Sequence, residues 1–279
     1  MSVYPSSVLS SDALPGAVVL RLADDHLVLG HRLSQWCGHA PMLEEDLSMP
    51  NMALDVLGQA LALYEYLVEL NSGGELQPKA VSNNGASPTA RSFYSADALA
   101  YLRLEREYVN CLLVEKPDVD FAHAMLKQLY FSAFMLAWWQ SQEQLEDKRL
   151  AAIAGKAVKE VAYHLKHSGE WVIRLGDGTA ESTERMNQAL AGLHPYTGEL
   201  FMADEAHEAS ARRRLVPELD KVKSRWDTTI ENVFQQAGLQ IPEVPFAHSG
   251  GRAGRHSEDF GFMLAELQYM QRAYPGMQW

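Results

Sequence analysis

The amino-acid sequence predicts an all-α fold, a bundle of long helices. Three observations carry that expectation. Apolar residues recur at helical spacing along most of the chain; in the run Leu150–Leu175 they are Ile153, Ala157, Val161, Leu165, Trp171, Val172 and Leu175. Period-two alternation is nearly absent, and only Pro242–Phe246 reads as an extended segment. Amphipathic runs also end at glycines, at Gly38, at Gly176-Asp177-Gly178 and at Gly238, where helices commonly stop.

Taken in order, residues 1–15 are rich in Ser and Pro and are expected to be a mobile tail, with 16–279 forming one domain. The first helix is expected over Gly16–Trp36. A second follows Pro41, with Leu47, Leu54, Leu57, Leu61 and Leu67 as its inner stripe, a kink near Pro50 and an end at Asn71–Gly74. Residues 71–92, polar and repeatedly broken by Gly, Ser, Asn and Pro, read as a long crossover loop. Helices are then expected over Ala96–Val114 and from a cap at Asp118 or Asp120 to about Asp147. The Leu150–Leu175 helix comes next. A helix capped by Ser182 or Thr183 should reach about Asp204, bent or broken at His194-Pro195. Pro217–Gly238 and Glu258–Ala273 complete the set.

Composition narrows the function. The 279 residues are 47% hydrophobic, enough for a sizeable core, and their net charge of −12 argues against a basic face for nucleic acid or acidic membranes. The two cysteines, Cys37 and Cys111, are far apart and read as buried thiols in a reducing cytoplasm. No basic start followed by an apolar run marks a signal peptide. The most apolar stretch, Leu129–Trp139, is too short to cross a bilayer and should be a buried helix.

Chemistry is concentrated on the Leu150–Leu175 helix, where Glu160 and His164 lie one turn apart. In a helical bundle a carboxylate and an imidazole so placed mark where a di-iron carboxylate site would sit. Such a site takes a Glu from each of two helices and a Glu-x-x-His from each of the other two. The count here falls short. Asp55 has Gly58 where the histidine should be, Glu160 has Tyr163 three residues on, and Phe121–Gln142 contains no Asp or Glu. Asp120-Phe-Ala-His123 and Asp204-Glu-Ala-His207 have the right spacing but sit at expected helix ends, where a cap is the simpler reading. Asp55, Glu160 and His164 are therefore read as degenerate remnants within a buried polar network, with His26, His31, Arg32 and Tyr163 as possible partners. The Gly-rich loop His248–His256 and the cluster Arg212-Arg213-Arg214 are read as surface features, the former with a weaker alternative as a phosphate cradle. The aromatic run Tyr130, Phe131, Phe134, Trp138 and Trp139 reads as core packing or as a contact between subunits.

Several segments together resemble one family. They are Trp36-Cys-Gly-His-Ala-Pro41, Asn51-Met-Ala-Leu-Asp-Val-Leu-Gly-Gln59, Leu112-Leu-Val-Glu-Lys-Pro117, Lys159-Glu-Val-Ala-Tyr-His-Leu165 and the C-terminal run from Met263 to Trp279. The chain resembles the structural, non-catalytic subunits of bacterial ring-1,2-phenylacetyl-CoA epoxidases, enzymes of phenylacetate degradation. That resemblance implies a ferritin-like bundle with additional helices. It further implies no catalytic or metal-binding residue and no cofactor in this chain. The di-iron centre would belong to a catalytic partner subunit that binds phenylacetyl-CoA, and electrons would come from NADPH through a separate reductase subunit. The competing expectation is a stand-alone di-iron oxidase or oxygenase with an atypical ligand set of Asp55, Glu160, His164 and His31. For the partner interface the corner between the first two helices is expected, with Trp36, His39, Pro41 and Leu43 placing apolar bulk in a turn.

Overall fold

A computed structural model describes residues 15–71, 95–244, 246–274 and 277. The expected tail at 1–15 and crossover loop at 71–92 lie outside these residues, apart from Pro15 and Asn71.

Four long helices make the bundle. α1 (Gly16–Ser34) and α2 (Leu43–Asn71) form one hairpin, and α5 (Phe121–Gln142) and α6 (Lys148–Gly176) form a second. Short connections of this kind leave consecutive helices antiparallel. α1 and α5 are buried on nearly all sides, including the charged residues Arg21, Asp24, Asp25 and Arg32 of α1 and Lys127 of α5. His26 of α1 meets Phe131 of α5 edge-on, with ring centres 5.1 Å apart. α2 and α6 flank this central pair and contact one another. α7 (Ala180–Leu193) and α9 (Leu219–Ala237) cover the α5–α6 hairpin, with a 3-10 segment (His194–Phe201) and α8 (Glu205–Arg212) between them. The bundle thus carries additional helices, ending with α10 (Glu258–Ala273), and no strand occurs among the described residues. None of the described helices is long and apolar enough to cross a membrane.

The caps follow ordinary chemistry. Asp120 starts α5 by accepting from the His123 amide, Asp147 starts α6 through Leu150, and Asp204 starts α8 through His207. The two Asp-x-x-His strings are therefore N-caps. α7 is capped by Thr179 in a box with Ser182, three residues before the expected start, and Pro195 turns the chain into 3-10 geometry instead of ending it.

Three expectations are corrected. Leu47, Leu54 and Leu61 are exposed on α2, and the inward face is Met49, Met52, Ala53, Val56, Ala60, Leu63, Tyr64 and Leu67. Small residues suit that face because α1 comes very close: a Cβ on Gly30 would meet the Leu57 side chain at 2.7 Å. Ala96–Val114 is not one helix but α3 (Ala96–Tyr101), a 3-10 turn (Glu105–Glu107) and α4 (Leu112–Glu115). Two buried carboxylates on α1 dictate this. Asp24 accepts from the amide of Val109 and Asp25 from that of Cys111, each at 2.8 Å or less, so this stretch turns its N–H groups outward from any helix. Finally, Cys111 is buried as expected but Cys37 is exposed.

The same two aspartates anchor distant segments. Asp24 pairs with Arg103 and accepts from the Tyr64 hydroxyl, and Asp25 takes both terminal nitrogens of Arg252 at 2.7 and 2.9 Å. Glu199 accepts from the amides of Gly250, Arg252 and Leu112. Two amides of the His248–His256 loop, those of Gly250 and Arg252, are thus engaged by a carboxylate.

Candidate functional site at the α2–α6 seam

α2 and α6 are joined by a line of polar pairs that step through the two helices in opposite order. Gln59 Nε2 donates to Glu160 Oε2 at 3.0 Å, and one turn away Asp55 Oδ2 lies 3.0 Å from His164 Nε2. Farther along, His167 Nε2 is 2.9 Å from Glu45 Oε2 and 3.3 Å from Ser48 Oγ, and Trp171 Nε1 donates to Glu45 Oε1 at 2.9 Å. At the opposite end Tyr66 donates to Asp147 at 2.6 Å and Arg149 pairs with Glu69 at 2.9 Å. Asp55 and Gln59, like Glu160 and His164, are four residues apart and share a face, so two consecutive turns of each helix meet two of the other.

The electrostatics separate an inner from an outer layer. The His164 side chain is 1% exposed and that of Asp55 41%, so their pair spans the edge of the bundle. Burial pushes the His164 pKa down, and the neighbouring Asp55 and Glu160 offset that only in part. Beneath them His26 donates from Nδ1 to the Leu22 carbonyl at 2.6 Å, and burial lowers its pKa to about 4. It is a neutral core imidazole at pH 7.

These residues do not fit a di-iron centre. α5 packs against α6 yet carries no Asp or Glu, and Phe131 fills the space beside His26. Among the described residues no group of three or more His, Cys, Asp or Glu side chains is disposed to hold a metal ion. What the arrangement does chemically is tie two helices together through neutral and ionic hydrogen bonds.

The comparisons with known proteins decide the family. A profile of phenylacetic acid catabolic proteins matches residues 11–279. The chain belongs to that family. It is also 39% identical, over 263 residues, to the protein of Escherichia coli (strain K12) named as the C subunit of 1,2-phenylacetyl-CoA epoxidase; the match covers 94% of this chain and 98% of that one.

Of the residues singled out in this family member, Asp55, Glu160, His164 and, underneath, His26 come together. His31 and Arg32 do not join them. His31 Nε2 lies 3.2 Å from the Tyr101 hydroxyl, with its pKa lowered by burial to about 4, and Arg32 donates to the Glu115 and Asp259 carbonyls. Tyr163 is exposed on the outer side of α6. Gln59, Glu45, Ser48 and His167 are the members that sequence reasoning missed. The signal that could have found them is polar residues recurring at three and four positions along the otherwise apolar inner edge of α2. At the corner between α1 and α2, Trp36 turns inward: Nε1 donates to Asp118 at 3.1 Å and the ring meets Phe121 edge-on. His39, Pro41 and Leu43 are exposed.

Proposed function

We propose that this chain is a cytoplasmic, structural and non-catalytic subunit of a multicomponent di-iron epoxidase acting on phenylacetyl-CoA. In this reading a related catalytic subunit holds the di-iron centre and most of the substrate, and NADPH supplies electrons through a reductase. The observation that carries it is the ligand deficit in an otherwise intact bundle. α5 offers no carboxylate, Gly58 offers no imidazole, and Gln59 pairs with Glu160 and Asp55 with His164. The relative's name, which makes it one subunit of an epoxidase, supports membership in an assembly.

The role assigned to the chain is mechanical: it buttresses the catalytic helices, whose geometry must hold to fractions of an ångström. The exposed corner of His39, Pro41 and Leu43, with Trp36 as its inner anchor, forms part of the contact. The test is to load the purified chain aerobically with Fe(II), alone and co-expressed with the cognate catalytic subunit, and to measure metal and epoxidation. The isolated chain should bind no stoichiometric iron and epoxidise nothing, whereas the pair should bind iron and, supplied with phenylacetyl-CoA, O2, NADPH and the reductase, should epoxidise. About two irons per isolated chain, the load of an intact site, would overturn the proposal.

A further inference from the structure

His256, which precedes the N-cap residue of α10, has an acceptor at each of its ring nitrogens. Nδ1 lies 2.5 Å from Glu115 Oε1 and Nε2 lies 2.9 Å from the Tyr108 carbonyl oxygen, and the side chains of His256 and Glu115 are both fully enclosed. A backbone carbonyl can only accept, so Nε2 carries a proton. Glu115 is itself ringed by donors: Oε1 also accepts from Asn110 Nδ2 at 2.7 Å, and Oε2 accepts from the Ser257 amide at 2.8 Å. Three donors converging on one carboxyl group favour its ionised form, which leaves a second proton on Nδ1. The ring is therefore an imidazolium. Burial by itself would lower its pKa, but the Glu115 carboxylate, the Tyr108 carbonyl and, farther off, Asp24 more than reverse that and raise it.

Loss of one proton breaks this arrangement, whichever nitrogen gives it up. A neutral ring that keeps its proton on Nδ1 turns a lone pair toward the Tyr108 carbonyl, and one that keeps it on Nε2 turns a lone pair toward the Glu115 carboxylate. Either contact is repulsive and leaves a buried acceptor unpaired. What the contact holds is α10. Of its 16 residues only Phe260, Met263, Leu264 and Gln268 are buried, which sets this helix at the low-stability end of the fold. The attachment is centred on the same joint: the Phe260 ring lies 4.6 Å from the His256 ring and 5.3 Å from that of Tyr108, between centres.

Other charged groups reach the joint from several elements. Asp24 and Arg103 are paired behind Tyr108, with the guanidinium carbon 4.0 Å from the centre of its ring. Arg32 of α1 donates to the carbonyls of Glu115 and Asp259, each at 3.0 Å. Glu105 of the first 3-10 turn lies against Gly261, Glu258 and Asp259 occupy the first turn of α10, and Lys116 and Arg255 adjoin the pair in sequence. We propose that His256 is a proton-operated latch: as an imidazolium it clamps the start of α10 to Glu115 and to the Tyr108 carbonyl, and on giving up its proton it frees the first turns of α10 while the four-helix bundle stays folded. Because folding raises the pKa of this histidine, its hold on α10 is complete below the ordinary value of 6.5 and is lost as pH rises through the raised one. The latch opens on the alkaline side.

The experiment takes the full-length chain with nitrogen-labelled histidine, identifies the His256 signals by their loss in His256→Gln, and titrates them upward from about pH 6 while amide exchange is read by mass spectrometry on matched samples. At the start both His256 nitrogens should read as protonated. As the proton leaves, protection factors over residues 260–264 should fall at least about tenfold, the scale of leaving one buried polar group unpaired, with those of α5 unchanged. His256→Gln, neutral throughout, should show the low α10 protection already at about pH 6 and no step. Glu115→Gln removes the counter-charge and should move the histidine titration and the α10 step to lower pH together, which keeps the test decisive if His256→Gln does not fold. A ring with one bare nitrogen at the start would overturn the proposal. So would a proton that leaves with no change in α10, a proton that stays until α5 unfolds, or an α10 step that stays in place while Glu115→Gln shifts the titration.

Discussion

Asp24→Asn is expected to cost about 3–5 kcal/mol of folding stability, the scale for breaking a buried ion pair. Asp24 and Arg103 are both fully enclosed. The carboxylate accepts from two guanidinium nitrogens, from the Tyr64 hydroxyl at 2.5 Å and from the Val109 amide at 2.8 Å. Burial by itself would lower the Arg103 pKa, and Asp24 with Tyr64 more than reverses that, so the guanidinium stays charged. An asparagine keeps one acceptor oxygen but aims an NH₂ at these donors and leaves the cation without a counter-charge. Since whole domains are stable by only about 5–15 kcal/mol, the variant should be marginal. Urea denaturation followed by circular dichroism gives the difference from the midpoint and slope. Two controls sharpen it. Asp55→Asn, at a pair whose carboxylate is 41% exposed, should cost less than about 1 kcal/mol, and adding Arg103→Leu to Asp24→Asn should cost less than the sum of the two single changes. A loss below about 1 kcal/mol for Asp24→Asn, or strict additivity of the double variant, would refute the account of Asp24 as the tie between α1 and the Arg103–Cys111 segment.

Three further outcomes are expected. His26 has a pKa near 4 when folded against an ordinary 6.5, so the unfolded chain binds the extra proton between those values. Stability should therefore fall as pH drops from about 6.5 to 4, with His26 contributing at most about 3 kcal/mol; a His26→Gln variant whose stability–pH curve runs parallel to wild type there would contradict this. Gly176→Ala would set a Cβ 2.6 Å from the Ala237 carbonyl oxygen and 2.9 Å from its Cβ, and thermal melting should report a loss of about 1–3 kcal/mol. Glu160→Ala removes one hydrogen bond to Gln59 at a half-buried position and should cost about 1 kcal/mol without altering epoxidation by the reconstituted assembly; a full loss of activity at unchanged melting temperature would restore a catalytic role to this carboxylate.

Helices are legible in the sequence wherever one face alone is buried. α6 has that character, and its periodicity locates it to within two residues at the N-terminal end and one at the other. The pattern places α2 correctly but turns it the wrong way. Its leucines are the most apolar residues, and apolarity normally marks the inside, yet the inner face must let Gly30 of α1 approach closely and is made largely of Ala, Met and Tyr. The break of Ala96–Val114 into short pieces is invisible in the local sequence, because its cause lies 85 and 86 residues away in Asp24 and Asp25. For the site, Glu160 and His164 stand out because a carboxylate and an imidazole one turn apart are recognisable ligand types. Gln59 does not, since an amide carries no such signal, although it is the direct partner of Glu160.

The polar seam and the apolar outer face of α2 are two sides of one arrangement. A metal centre would tie the helices of a bundle together from the middle. Here α2 and α6 are tied along their common edge, by pairs spaced from Glu45–His167 through Asp55–His164 to Tyr66–Asp147. The Asp55–His164 and Glu69–Arg149 ties reach the surface and are individually weak, whereas Tyr66–Asp147 and Glu45–His167 are enclosed; spread over about six helical turns, together they fix the rotation of α2 about its own axis. That rotation decides which residues face out. With Gln59 and Asp55 held against α6, Leu47, Leu54, Gly58 and Leu61 have no freedom to turn into the core, and they remain presented in a row. Asp55, Gln59, Glu160 and His164 thus fix the rotational setting of α2 against α6.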